Sequence, residues 1–180
     1  MPTVFTHPVV SLALAPWLRR HGVDGRVVAV GMLCTVVPDL DVVGLRLGIP
    51  YDAPLGHRGF SHSLAFAALL GGVLATLGTR WWPHVPRALA FAFFFVCTAS
   101  HGILDAMTTG GHGIAFFAPF SNERHFLPWR PIAVSPLGLT SFFSGRGLAV
   151  LASELQWLVV PAALVGAGGW LATRSRTPQP

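Results

Sequence analysis

Ala88-Leu-Ala-Phe-Ala-Phe-Phe-Phe-Val-Cys-Thr-Ala-Ser-His101-Gly-Ile-Leu-Asp105 is the stretch on which the reading of this chain turns. It is an apolar run that closes on two ionisable residues four positions apart. A helix carries residues four apart on one face. His101 and Asp105 therefore point the same way from the end of a greasy helix. An imidazole and a carboxylate so placed either share a cation or pair with each other as a helix-end fastening. Ionisable groups in or beside a bilayer are costly, so they default to a functional reading.

Composition supports the membrane setting. The 180 residues are 52% hydrophobic and 11% charged, against roughly 25% charged in a soluble domain. The net charge of +5 comes from arginine alone, since the sequence contains no lysine. Those arginines are scattered through loops rather than gathered in a stripe, so nucleic acid is not indicated. Cys34 and Cys97 each lie inside an apolar run and read as small core residues. The start of the chain shows neither a basic region nor a cleavage site of a signal peptide.

Outward from that stretch, four more apolar segments are expected. They are Thr3–Leu18, Val27–Val37 (stopped by Pro38), Ser63–Thr79 and Leu148–Thr173. Val27–Val37 alone is short of the ~20 residues that cross ~30 Å of hydrocarbon. Ser61 or Ser63 would cap the third helix. The expected fold is all-α, a polytopic membrane bundle of about four to five apolar helices. Residues 1–173 form one membrane-embedded domain and 174–180 a polar, disordered tail. Residues 108–147 make a long loop rich in Gly, Pro and Phe.

Five segments place the turns 19–26 and 80–87 and the tail on one side. That side has Arg19, Arg20, Arg26, Arg80, Arg87, Arg174 and Arg176 in short pieces. The other side has Arg46, Arg58, Arg124, Arg130 and Arg146 in longer loops. Positive-inside reasoning makes the first side cytoplasmic.

The extracytoplasmic side then collects His7, Asp39, Asp41, His57, His62, His101 and Asp105, with His112 and His125 as loop candidates. His21 and His84 fall on the opposite side. If Pro38-Asp39-Leu-Asp41 is extended, its two carboxylates share a side and reach one cation or bridge two. His57 and His62, five apart, suit one ligand from a loop and one from the first turn of the next helix. Imidazole and carboxylate without thiolate favour Zn, with Mn or Fe as alternatives. The expected metal ligands are His7, Asp39, Asp41, His57, His62, His101 and Asp105. The bland alternative is a hydrogen-bonded polar network that holds helix ends.

Thr6-His7, Pro38-Asp39-Leu-Asp41, His57-Arg-Gly-Phe-Ser-His62-Ser, His101-Gly-Ile-Leu-Asp105 and Phe120-Ser-Asn … Trp129 together resemble the YdjM-type family of bacterial inner-membrane proteins, described as metal-dependent hydrolases. The resemblance covers most of the chain and implies a multi-helix inner-membrane protein with a His/Asp metal site. The order of ligands is also similar, more distantly, to the zinc-dependent phospholipase C and single-strand nuclease superfamily, whose helical phosphodiesterases carry three zinc ions. On that likeness His7, Asp41, one of His57 and His62, His101 and Asp105 match ligand types. Six residues precede His7 where that superfamily uses its terminal amine, and a second His-x3-Asp pair is missing. One or two ions are therefore expected.

The function expected is hydrolysis of a phosphoester in a lipid or membrane-associated substrate. Whichever of Asp39 and Asp105 is not a ligand would accept the proton of water, and Arg58 would clamp a phosphoryl group. The alternative for Arg58 is a snorkelling interface residue. The aromatic loop 116–130 reads as a lid or as a membrane belt, with Asn122, Glu123 and Arg124 in support. Glu154 is expected to pair with an arginine or to face the bundle interior. Two other classes stand beside the enzyme. One is an adaptor or regulator with a structural metal site. The other is an ion or proton transporter, disfavoured because the candidates gather at one face. The sequence names no protein partner.

Overall fold

The computed structural model describes residues 2–135 and 146–174. Among these the chain is helical, with two isolated bridges (Thr108 with Ile132, Ile114 with His125) and no strand. The helices are α1 (Val9–Leu18), α2 (Gly25–Cys34), α3 (Val42–Arg46), α4 (Leu64–Leu77), α5 (Arg87–Ala106), α6 (Arg146–Glu154) and α7 (Val160–Arg174). A π turn, Leu155–Val159, joins α6 to α7. The expected tail falls almost wholly on residues 175–180, outside the described residues, as do residues 136–145 of the long loop.

Among the described residues, three stretches are long and apolar enough to cross a membrane: Gly25–Arg46, Arg87–Ala106 and Gly147–Arg174. Leu64–Arg80 is a shorter apolar helix. Leu12, Leu33, Leu69, Phe91, Leu151 and Leu164 are exposed on the outside of the bundle. Apolar side chains turned outward on helices of this length suit lipid as their solvent.

The second span corrects the sequence reading. Pro38 does not stop the apolar run. It occupies the start of a 3-10 turn, Val37–Asp41, which leads straight into α3. Proline is tolerated in a first helical turn, where its missing N–H has no partner to lose. The turn also overturns the extended geometry expected for Asp39 and Asp41. At about three residues per turn, side chains two apart diverge.

Local signals set the helix starts. Asp24 Oδ1 accepts from the N–H of Arg26 (2.9 Å) and of Val27 (3.1 Å) to cap α2. Ser63 Oγ, rather than Ser61, caps α4 by accepting from Phe66 N–H at 3.0 Å. α4 packs along α5, and α1 along α7. A Cβ on Gly71 would lie 3.1 Å from Phe95 N and 3.2 Å from Phe91 O, so glycine there lets the α4 and α5 backbones approach.

α5 carries the plan of the molecule. Its buried face runs Ala90, Phe93, Phe94, Cys97, Thr98, His101, Gly102, Asp105. The first part joins Val27, Cys34 and Trp82 in the apolar core. The last two turns replace carbon with imidazole and carboxylate. Cys34 and Cys97 are free, buried thiols, as expected of core residues. The segment 108–135 folds back over this polar end: Leu127 N–H donates to Ala106 O and Ile132 N–H to Met107 O.

Candidate metal centre

Four side chains converge beyond the core. His101 and Asp105 come from α5, His62 from the 3-10 turn Phe60–His62 before α4, and Asp39 from the turn Val37–Asp41. One ligand atom from each lies within 4.8 Å of all the others. His101 Nε2 is 3.1 Å from His62 Nε2 and 3.3 Å from Asp39 Oδ1. His62 Nε2 is 3.7 Å from Asp39 Oδ1 and from Asp105 Oδ2. Ligands at ~2.0–2.1 Å around a tetrahedral ion stand about 3.3 Å apart. The separations of 3.1–3.7 Å are close to that spacing, and the remaining ones are within 4.8 Å.

The hydrogen bonds behind them fix which nitrogens face inward. His101 Nδ1 is 2.7 Å from the carbonyl of Thr35, which only accepts, so Nδ1 carries the proton. His62 Nδ1 is 3.1 Å from Asp41 Oδ2 and 3.0 Å from Ser61 Oγ. On this assignment both Nε2 atoms present bare lone pairs to each other. Two lone pairs do not rest against one another in a dry interior, so the pair calls for a shared proton or a cation between them. His62 responds to the same field. A proton can take that place: burial works to lower the pKa of His62, but the neighbouring carboxylates of Asp39 and Asp41, and the charge of Asp105, push it up to about 9.

The orphaned atoms agree. Both oxygens of Asp39 and of Asp105, and both nitrogens of His7, are buried without a hydrogen-bond partner. Buried polar atoms are nearly always satisfied, and this cluster of orphans of metal-ligand type could hold an ion.

His7 reaches the site from the turn before α1. Its ring stacks on His101, with 3.9 Å between centroids and 18° between planes. Its Nε2 is 3.8 Å from Asp105 Oδ1. Asp41 and His57 form a flank: Asp41 Oδ1 meets His57 Nδ1 at 2.6 Å, while Oδ2 accepts from Ser61 Oγ at 2.6 Å and Arg58 N–H at 3.1 Å. Asp39, Asp41, His57 and His62 make a second group able to hold an ion, sharing Asp39 and His62 with the first.

Arg58 is neither a snorkelling residue nor an open clamp. It is 1% exposed. Its Nε lies 3.0 Å from Asp105 Oδ2, and its two terminal nitrogens donate to Gly110 O (2.9 Å) and Thr108 Oγ1 (3.3 Å). Its φ of +64° is unusual for a side-chain-bearing residue and is tolerated where surroundings over-determine it.

The whole chain carries a family signature to match. Residues 1–176 match the model described as YdjM inner membrane protein. The chain belongs to that family. It is also 36% identical over 165 residues to the protein named inner membrane protein YbcI of Escherichia coli (strain K12), covering 92% of this chain and 95% of that one. No solved structure matches it. Membership places this YdjM-family chain in the inner membrane, consistent with its apolar helices.

The structure brings together all seven of His7, Asp39, Asp41, His57, His62, His101 and Asp105. His112 and His125 stay outside: His112 pairs with exposed Asp52 at 2.9 Å, and His125 bridges Ile114. His84 lies beyond the opposite end of α5, 3.7 Å from Asp24. Glu154 faces the interior, and its partner is Thr3 rather than an arginine. Sequence reasoning missed the carbonyl of Thr35 and the link of Ser61 to Asp41. A backbone acceptor leaves no mark in a sequence, and Ser61 reads there as a cap.

Proposed function

We propose that this centre holds a divalent ion, of the zinc type by its ligand set, and that the protein is a membrane-bound metal-dependent hydrolase. The observation that carries the metal reading is the pair of Nε2 atoms of His62 and His101, 3.1 Å apart with both Nδ1 atoms committed elsewhere. His62, His101, Asp39 and Asp105 would hold the ion, with His7 beside Asp105. Asp41 and His57 would orient His62 or complete a second position through the shared Asp39. When bound, such an ion polarises a phosphoryl or carbonyl oxygen and lowers the pKa of water toward ~7.

The remaining roles fall to the chain. Where His7 takes its place as a ligand, Asp39 is the proton acceptor in this reading, because it is the least enclosed of the four. Arg58 holds Asp105 in place and offsets part of the charge of the three carboxylates. Exposed Phe117, Phe120 and Trp129 lie on the loop that covers this end of α5. Aromatic side chains of that kind sit at the headgroup level, which favours a phosphoester of a lipid or membrane-associated substrate.

A second reading, an adaptor with a structural ion, is favoured by one observation: His7, His101 and Asp105 are wholly buried, and closed sites are structural. Elemental analysis of the purified protein, with a screen of phosphodiesters, phosphomonoesters and acyl esters before and after chelation, separates the two. Turnover that is lost with the metal supports the enzyme. A bound metal without turnover, whose removal only lowers the melting temperature, supports the adaptor. Absence of metal overturns both.

A further inference from the structure

Glu154 is a fully buried carboxylate in Gly147–Arg174, the longest candidate membrane span among the described residues. It lies on the stripe Val150, Glu154, Leu158, whose other members are buried apolar side chains. A leucine would serve packing at that position. Instead the carboxylate accepts from the backbone N–H of Thr3, and its other oxygen accepts from Thr3 Oγ1 at 2.7 Å. An ionisable residue within a membrane span marks function by default. The π turn that starts at the next residue is of a kind frequent at functional sites.

Thr3 is the anchor of the segment that carries His7. Its carbonyl accepts from Thr6 N–H and from Thr6 Oγ1, each at 3.1 Å, and Thr6 O then accepts from Val9 N–H at the start of α1. His7 is therefore suspended between the Thr3 anchor and α1. Its own ring makes no hydrogen bond; it only stacks on His101. The place of this imidazole is set through the backbone. The neighbouring Ser153 Oγ accepts from Ala133 N–H at 3.0 Å, so one turn of α6 fastens both segments that lie over the cluster.

We propose that Glu154 is a positioning residue: its clasp on Thr3 holds the amino-terminal segment over the cluster and keeps His7 against His101 and Asp105. The clasp rests on the hydrogen bonds of Thr3 and Thr6 and not on the metal reading.

The test is the reactivity of each histidine toward diethyl pyrocarbonate, read by mass spectrometry on the full, chelator-treated chain in detergent. In the wild type, buried His7, His57 and His62 are protected and exposed His21 reacts. Glu154→Ala is expected to abolish the protection of His7, bringing its rate toward that of His21, while His57 and His62 stay protected. Glu154→Gln keeps an oxygen for the Thr3 N–H and is expected to restore protection. Should Glu154→Ala fail to fold, Thr3→Val removes only the hydroxyl bond and is expected to raise the reactivity of His7 alone. Continued protection of His7, or loss of protection at all three histidines together, overturns the proposal. Metal titration of the same wild-type sample reports separately: no binding there defeats the metal reading and leaves the His7 result standing.

Discussion

Asp105 Oδ2 lies 3.0 Å from Arg58 Nε, with both side chains buried and the two residues 47 positions apart in sequence. The contact joins the end of α5 to the loop before α4. It also sets one positive charge among Asp39, Asp41 and Asp105. Removing one partner of a buried ion pair leaves an uncompensated charge, which typically costs about 3–5 kcal/mol. Arg58→Met should lower the melting temperature of the metal-free protein sharply. Arg58→Lys should recover only part of it, because an ammonium cannot reach Asp105, Thr108 and Gly110 in the geometry of a planar fork. Melting curves in detergent that match the wild type for Arg58→Met would contradict this assignment.

Asp105→Asn keeps the shape of the side chain and removes its charge. If Asp105 holds the ion, metal affinity should drop by at least the ~10–100-fold typical of changes just outside a metal's ligands. His84→Gln, beyond the far end of α5, should leave metal content unchanged. Full metal occupancy in Asp105→Asn, measured by elemental analysis on folded protein, would remove Asp105 from the ligand set.

Asp24 offers a control on stability away from the centre. Asp24→Ala deletes the α2 cap and should cost about 1 kcal/mol, with metal content unaffected. The N–H of Val27 holds the Asp24 carboxyl below its usual range, with burial opposing it and the N–H of Arg26 adding to it. A lowered folded pKa means the cap's contribution is complete above the unfolded value, near pH 4. It is lost as pH falls through the lower, folded value. The stability gap between wild type and Asp24→Ala should therefore close in acid; a gap that widens below pH 4 would reverse the sign.

Arg19, Arg20, Arg26, Arg80 and Arg87 belong to the turns at the end of the bundle opposite the cluster, where α7 ends at Arg174. Positive-inside bias then expects that end in the cytoplasm and the cluster outside it. A fusion after Pro180 should be active with a cytoplasmic reporter and silent with an extracytoplasmic one. The opposite pattern would invert the orientation and leave the clustering intact.

The sequence by itself determined what depends on local pattern. Apolar runs of membrane length, with few charges between them, leave helices as the natural solution, since lipid offers backbone groups no partners. The spacing of His101 and Asp105 fixed their shared face because the α-helix has one period. Tertiary structure decided the rest. Asp39 and Asp41 approach His62 from a 3-10 turn rather than from one side of an extended stretch, because Pro38 stands at the start of that turn. Arg58 turns inward, at a φ of +64°, because Asp105, Thr108 and Gly110 wait there for its fork. Thr35 serves His101 through a carbonyl that every residue possesses, and Glu154 meets Thr3 across 151 positions. Such contacts depend on which helix ends arrive at one place, and that is settled by packing among distant segments, for which a single sequence carries no local sign.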